Sequence, residues 1–400
     1  MSPFMAITSN YLYTTAMLRS TLNTIGILAL LVVAFLLFKN SITPVSTITP
    51  AQSNIQTVVS ALPSSTTTTT VATSTKIVIT TSTLKKVVTT VKPLVIAYTP
   101  AQTQTPVSAP VSLPQTIPSD TINTSARAAL VNIVCLSNTA DLPSISGSGV
   151  IISPDGVIIT NAHIGQYWLL QNFKGQSNAV NCMIRAGSPA KVTYKASLIY
   201  ISPDWIQTNA SILTETDPTG TGEHDYAFLK ITSNIDGSSI TNPLSYLQPD
   251  TMENLHIGDN ILLASYPAEF FGTFNILNDL YQTSAIGQIS KIYTFTANTS
   301  DLFDVPGTVV SQRGSSGGAA VNDQGMLTGI ITTSSTATTT GARDLRAISL
   351  SYIDRDLQQH QSISLVDLID NNDSIGTDFN QNIAPKLTDI LTAGIIQGGN

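Results

Sequence analysis

Apolar residues form one long uninterrupted run near the start of the chain. Nineteen uncharged residues, most of them apolar, lie between Arg19 and Lys39. As a helix they would span roughly 28 Å, about the thickness of one bilayer hydrocarbon core. The run therefore predicts a transmembrane signal-anchor helix at residues 20–39, preceded by a short N-terminal cytoplasmic segment at residues 1–19. A cleaved signal peptide and a buried core helix are the alternatives, although the residues after the run offer no small-residue cleavage site.

Beyond about residue 124 the apolar residues occur instead in short runs separated by Gly, Asn, Asp, Ser and Pro. This pattern is typical of strands joined by turns, and it favours an all-β sandwich or barrel over an α/β fold. Helices are expected near residues 162–172 and 351–360. Residues 361–400 form a polar tail with weakly amphipathic patches, which we expect to be disordered or packed on the barrels. The strand-like runs include AALVNIVCL, GVIISPDGVIIT, KVTYKASLIYI, YAFLKI, NILLASY and GMLTGIITT.

The segment between these two regions is rich in Ser, Thr and Pro. Residues 41–120 contain 31 Ser or Thr and 9 Pro, and no Gly occurs between Gly26 and Gly147. Such a segment buries too little apolar surface to offset its ordering entropy, and Pro keeps it extended. We interpret residues 40–123 as a disordered stalk that separates the helix from a folded domain at residues 124–360.

Charged residues are only 11% of the chain and are unevenly distributed. Residues 1–125 contain six Lys or Arg and one acid, whereas residues 126–400 contain 12 basic and 24 acidic residues. Nucleic-acid binding depends on the neutralisation of phosphates, so an acidic folded region without a basic run argues against it. The two Cys, with no CxxC, are too few for a disulfide scaffold or a Cys-based zinc site.

Three segments carry residues suited to nucleophilic chemistry. GSGVIISPDGVIITNAHI ends near His163, EHDYAFLKI places Asp225 at the start of a buried strand, and SQRGSSGGAAV contains Ser316 within Gly-x-Ser-Gly-Gly. Acyl transfer needs a hydroxyl, an imidazole that takes its proton, and a carboxylate that fixes the imidazole tautomer. Each segment alone has an ordinary structural interpretation, as a surface His, a turn Asp or a flexible loop. Their combination in the order His, Asp, Ser indicates a catalytic triad.

The glycines around Ser316 fit the same interpretation. A tetrahedral oxyanion needs backbone N–H donors that point at one position about 3 Å away. Gly314 can adopt the positive φ that lets the N–H groups of Gly314 and Ser316 converge. Gly317 and Gly318 leave room for a substrate backbone beside the nucleophile.

The three segments resemble those of chymotrypsin-fold serine peptidases, specifically the bacterial HtrA/DegP-like trypsin-like peptidases. The resemblance covers about residues 128–357. It implies two six-stranded antiparallel β-barrels, with His163 and Asp225 on the first and Ser316 with the oxyanion hole on the second. It also implies hydrolysis of polypeptide substrates without a metal or other cofactor. With the anchor and stalk, it leads us to expect a single-pass protein of the cell membrane with an extracytoplasmic peptidase domain.

Several positions depart from the family pattern or refine it. Ser315 replaces the Asp that pairs with a new N-terminus in trypsins. Residues 201–223 make the connection between the His and the Asp of the triad longer than is usual in the family. No PDZ domain is expected. The family places Val310 at the base of the substrate-binding S1 pocket, and a loop without Asp or Glu there suggests a small or aliphatic P1 residue. His224 is expected to face solvent, because it neighbours Asp225 in a strand and so points to the opposite face.

In this barrel type the strands that carry Cys135 and Cys182 can be neighbours, so a disulfide is one interpretation and two unpaired buried Cys the other. A disulfide would agree with an extracytoplasmic location. The function we expect is peptide-bond hydrolysis in envelope protein quality control or processing. The alternatives are a catalytically silent scaffold with a protease fold, and a peptidase that releases its own domain from the stalk. The resemblance also leaves room for a homo-oligomer.

Overall fold

The computed structural model describes residues 117–215, 220–295, 298–333, 343 and 345–399. The predicted N-terminal segment and transmembrane helix, at residues 1–39, and the predicted stalk up to residue 116 lie outside the described residues. Within those ranges, no helix is both long and apolar enough to cross a membrane.

The first half of the fold is a closed antiparallel barrel of six strands, as expected. The strands follow one another around the barrel in the order β1, β2, β3, β6, β5, β4, and β4 pairs with β1 to close it. A helix that the sequence did not indicate, α1, leads directly into β1. These elements are α1 (Ser119–Ala129), β1 (Leu130–Ser137), β2 (Ile145–Ile151), β3 (Val157–Thr160), β4 (Val180–Ala186), β5 (Lys191–Ile201) and β6 (Ala227–Asn234).

The second half is one seven-stranded antiparallel sheet rather than the six-stranded barrel that we expected. Its strand order is β8, β7, β11, β12, β13, β10, β9. The two edge strands are separated by Ile289 and Ser290 alone, whose N–H groups donate to Asp259 and Asp304 carbonyls at 3.0 and 2.8 Å. One bent segment therefore forms both edges, which gives an additional strand and a half-barrel. The strands are β7 (Asn260–Ser265), β8 (Thr283–Gln288), β9 (Lys291–Tyr293), β10 (Leu302–Asp304), β11 (Ala319–Val321), β12 (Leu327–Thr333) and β13 (Leu345–Ser349).

Seven further α-helices occur in the described part of the chain. In the region where a helix was expected near residues 162–172, the chain forms a short helix, α2, followed by a 3-10 helix at Gln166–Leu170. The helix expected near residues 351–360 is α5. The helices are α2 (Ala162–Gly165), α3 (Pro203–Thr208), α4 (Thr273–Asn278), α5 (Leu350–Gln361), α6 (Leu365–Asp370), α7 (Asn372–Asp378) and α8 (Ala384–Gly398).

The C-terminal segment packs on the first barrel, so the disordered alternative for residues 361–400 is wrong for the part that the structure describes. A Cβ at Gly376 would lie 2.7 Å from Ile199 Cγ2, and one at Gly394 would lie 2.5 Å from the Ala210 Cβ. The Asn380 amide donates to the Leu198 carbonyl of β5 at 2.8 Å. These close approaches explain why glycine occurs on the helices that pack against β5 and against the segment after α3.

The two cysteines form a disulfide across the strands that close the barrel. Cys135 of β1 lies directly opposite Cys182 of β4, with Cα atoms 4.0 Å apart. The sulfur atoms are 2.07 Å apart. The structure therefore favours the disulfide over two unpaired thiols.

Candidate active site

The first barrel presents His163 and Asp225 at adjacent ends of paired strands. β3 pairs with β6, and His163 follows β3 on α2 whereas Asp225 lies just before β6. The Asn161 side chain donates to the Asp225 carbonyl at 3.0 Å, which ties the two connections together. The pairing of β3 with β6 therefore brings together two residues that are far apart in sequence.

The Asp225 carboxylate contacts His163 at two places. The His163 backbone N–H donates to Asp225 Oδ1 at 2.9 Å, and His163 Nδ1 lies 2.9 Å from Oδ2. Thr332 on β12 donates its hydroxyl to Oδ2 at 3.4 Å. Only 6% of Asp225 is exposed, and a buried carboxylate requires such hydrogen bonds. An ionised carboxylate only accepts hydrogen bonds, so this contact favours the tautomer with the proton on Nδ1, which leaves Nε2 as the nitrogen that can accept a proton.

Ser316 lies in a loop that the first barrel holds directly. The Ser148 N–H of β2 donates to the Ser316 carbonyl at 2.8 Å, and the Ser148 hydroxyl donates to the Gly314 carbonyl at 2.9 Å. The Ser148 carbonyl in turn accepts the Thr160 hydroxyl at 2.8 Å, three residues before His163. The loop that carries the nucleophile candidate is therefore fixed to the strands that lead to the histidine.

Two glycines of this loop have no room for a side chain. Gly317 has φ +81°, and a Cβ there would lie 2.1 Å from the Ser148 carbonyl oxygen. Gly314 has φ +94°, and a Cβ there would lie 2.8 Å from both the Ala268 nitrogen and the Tyr266 oxygen. Both positions need glycine for conformation and for space. Ser315 is completely buried, and its hydroxyl accepts from Ser265 at 2.9 Å.

An ion pair between the connection after β7 and the connection before β13 holds the same loop. Arg343 and Glu269 form two hydrogen bonds, one of them between Nη2 and Oε1 at 2.8 Å. Arg343 also donates to the Ser311 carbonyl at 3.3 Å, and Glu269 accepts the Arg313 N–H at 3.2 Å. The bond to Arg343 lowers the pKa of Glu269, and the same bond raises the pKa of Arg343. The pair therefore stays ionised and fixes the backbone just before Ser316.

Val310, the expected base of the S1 pocket, is completely buried in a hydrophobic cluster with Leu255, Ile261 and Ile289. Its side chain presents no surface in this structure. The sequence position alone could not distinguish a pocket wall from a core residue beneath the loop, because both are apolar.

His224 is mostly covered by α5, with 21% of its side chain exposed, so the expectation that it faces solvent is wrong. Its ring nitrogen Nδ1 lies 3.0 Å from Asp356 Oδ2 on α5, and its backbone N–H donates to the Tyr352 hydroxyl at 3.0 Å. The bond to Asp356 raises the pKa of His224. His224 lies before β6 in a left-handed conformation, so the strand alternation behind that expectation does not apply there, and it could not reveal that α5 covers this side chain.

Sequence reasoning missed Ser148, Thr332 and Asp356, which all contact the candidate site or its neighbours. Ser and Thr in a strand and Asp in a helix carry no local signal of such a role. Among the described residues, no group of three or more His, Cys, Asp or Glu could hold a metal ion.

Residues 147–330 match the family of the trypsin-like peptidase domain. No curated protein matches the chain. The matched residues include His163, Asp225 and Ser316, and the two sheets agree with a chymotrypsin-like fold.

Proposed function

We propose that this chain, which carries a trypsin-like peptidase domain, is a serine endopeptidase that uses His163, Asp225 and Ser316 as a catalytic triad. The observation that carries the proposal is the double contact between Asp225 and His163, at 2.9 Å from both the backbone nitrogen and Nδ1. The hydrogen bonds of Ser148 attach the loop of Ser316, the nucleophile candidate, to the barrel that carries His163 and Asp225.

In the proposed mechanism the Ser316 hydroxyl attacks the carbonyl carbon of the scissile peptide bond while His163 Nε2 takes its proton. Asp225 holds the other ring proton and stabilises the imidazolium that forms. The imidazolium then protonates the leaving amine, and the C–N bond breaks to give an acyl-enzyme. Water, deprotonated by His163, attacks the ester and releases the second product together with Ser316.

The oxyanion of each tetrahedral intermediate needs donors that are fixed before the reaction. We assign this role to the N–H groups of Gly314 and Ser316. The carbonyl oxygens of both residues accept from Ser148, and the backbone before them is braced by Glu269 and Arg343. A loop held by β2 and by this ion pair needs little rearrangement as negative charge develops.

We further propose that the peptidase is HtrA-like and acts outside the cytoplasmic membrane, on envelope proteins that are to be degraded or processed. The apolar run at residues 20–39 would be the anchor, and the Ser/Thr/Pro-rich segment up to residue 123 would hold the domain away from the bilayer. A small or aliphatic P1 preference stays a prediction, since Val310 itself is buried.

The test compares the full chain with its Ser316→Ala variant in two assays, cleavage of unfolded casein and covalent labelling by a fluorophosphonate. Wild type should cleave and label, and the variant should lose labelling and at least about 1,000-fold of its cleavage rate. Ser315→Ala is the matched control, because its buried hydroxyl bonds Ser265 and it should keep labelling. A folded wild type that neither cleaves nor labels would contradict the proposal and favour a catalytically silent scaffold.

A further inference from the structure

Both sequence neighbours of Asp225 contact one buried oxygen atom. His224 Nδ1 lies 3.0 Å from Asp356 Oδ2, and the Tyr226 hydroxyl donates to the same oxygen at 2.6 Å. Asp225 itself is bonded to His163. The chain on both sides of Asp225 is therefore bonded to α5, while the Asp225 carboxylate itself is bonded to His163.

The backbone conformation at His224 is uncommon for a residue other than glycine. Its φ of +57° lies in the left-handed region, which residues other than glycine rarely adopt. The Tyr226 N–H donates to the His224 carbonyl at 2.8 Å, so the chain turns tightly just where Asp225 projects. The side-chain bond of His224 to Asp356 adds to the backbone bonds of this turn and helps to hold it in place.

Asp356 is suited to be a fixed anchor. It is 6% exposed, and a buried carboxylate keeps its charge only when its oxygens are hydrogen-bonded or paired. Oδ2 is occupied by His224 and Tyr226, and Oδ1 lies 3.6 Å from His360 Nε2 one turn later on α5. Tyr352, one turn earlier on α5, accepts the His224 N–H. One face of α5 thus determines the position of residues 224–226.

We propose that Asp356 is a positioning residue for catalysis, which acts through His224 and Tyr226 to keep the Asp225 carboxylate aligned with His163. The inference rests on the proposed function and adds to the triad a residue from the C-terminal helix. The role of Asp225 depends on the orientation of its carboxylate, since the carboxylate orients His163 and stabilises the imidazolium. A small displacement of the chain at Asp225 would lower the rate of chemistry and leave substrate binding intact.

The test uses Asp356→Asn in the full chain, with Asp204→Asn as the matched control. Asp204 belongs to the same cluster, since it lies 2.7 Å from His360 Nδ1, but it is bonded to neither His224 nor Tyr226. Asp356→Asn should lower kcat for casein peptides and the fluorophosphonate labelling rate about 10- to 100-fold, with KM within about twofold. Asp204→Asn should keep both rates.

A second pair of variants separates positioning from a general loss of stability. His224→Asn keeps an amide nitrogen close to the position of Nδ1, and Asn tolerates the left-handed region. His224→Gly accepts the same φ and keeps the backbone N–H, but it has no side-chain donor. The Asn variant should retain wild-type kcat within about threefold, whereas the Gly variant should fall toward the rate of Asp356→Asn. This pair decides the question if Asp356→Asn does not fold.

A readout that does not depend on activity is the low-field NMR resonance of the His163 Nδ1 proton, which reports its bond to Asp225. Asp356→Asn should shift or broaden this resonance, and Asp204→Asn should leave it unchanged. If an active wild type and Asp356→Asn have equal rates and equal resonances, the inference is wrong while the proposed function stands. If wild type neither cleaves nor labels, the proposed function fails. The role in catalysis then fails with it, and the resonance alone decides whether Asp356 positions the Asp225 carboxylate, which an unchanged signal in Asp356→Asn overturns.

Discussion

The ionisable groups around the His224 imidazole are mostly acidic. The bond to Asp356 raises its pKa above the ordinary 6.5, partial burial opposes this shift, and the charges of Glu223 and Asp204 add to it. A raised pKa means that the folded state binds the proton more tightly than the unfolded chain does. The resulting stabilisation is complete below pH 6.5 and is lost as the pH rises through the raised pKa. The groups that face this imidazole are Glu223 and Tyr226 from its own segment, Tyr352, Asp356 and His360 from α5, and Asp204 from α3.

We therefore expect the free energy of unfolding of wild type to decline as the pH is raised above 6.5, and we expect His224→Asn to lack this part of the decline. Urea unfolding of both proteins across this pH range measures the difference. The two curves should converge at high pH, where wild type has lost the proton. Curves that stay parallel throughout would show that the charge on His224 does not stabilise the fold.

Individual residues differ in how far the sequence could predict them. His163, Asp225 and Ser316 stand in motifs with fixed neighbours, so their roles could be inferred before any contact was known. Asp356 stands in an ordinary helical pattern, and its importance depends on a contact with a segment more than a hundred positions away. Only a tertiary structure reveals such a partner.

The last helix, α8, is expected to be part of the same cooperative fold as the first barrel. Leu391 on α8 is completely buried, whereas its neighbour Ile390 is 37% exposed. Leu391→Ala should lower the free energy of unfolding by about 2 to 5 kcal/mol, because it removes buried methyl groups and leaves a cavity. Ile390→Ala should change it by less than about 1 kcal/mol. Urea unfolding followed by tryptophan fluorescence suits this test, since Trp168 and Trp205 both belong to the barrel core. Equal, small effects would mean that α8 is detached from the fold.

At the level of elements, the hairpin of β2 and β3 was predictable because Pro154, Asp155 and Gly156 separate two apolar runs. The helices after residue 361 were not, because their apolar positions are interrupted by Gly376 and Gly394, which weaken a helical pattern. The structure shows why glycine occurs there, since β5 and the segment after α3 approach too closely for a side chain. At these two positions the space left by tertiary packing, and not the helix propensity of the residue, explains the glycine.

At the level of the molecule, the candidate site depends on contacts from the first barrel to three later segments. The loop of Ser316 is held by Ser148, Asp225 accepts from Thr332 on β12, and its neighbours are bonded to Asp356 on α5. None of these contacts lies within a single motif. The arrangement explains why residues outside the matched family range, such as Asp356, bear on the geometry of the triad candidates.

The disulfide provides a test of where the domain resides. Cys135 and Cys182 join β1 to β4 across 47 positions of sequence, and closing such a loop stabilises a fold by about 4 kcal/mol in the chain-entropy description. Disulfides persist in oxidising compartments and are rare in the cytosol. If the domain is extracytoplasmic, protein taken from cells under denaturing conditions should bind no maleimide until it is reduced, and then two per chain. Cys182→Ser should bind one without reduction, which controls for access of the reagent. Two maleimides bound by wild type before reduction would place the domain in a reducing compartment and contradict the proposed location.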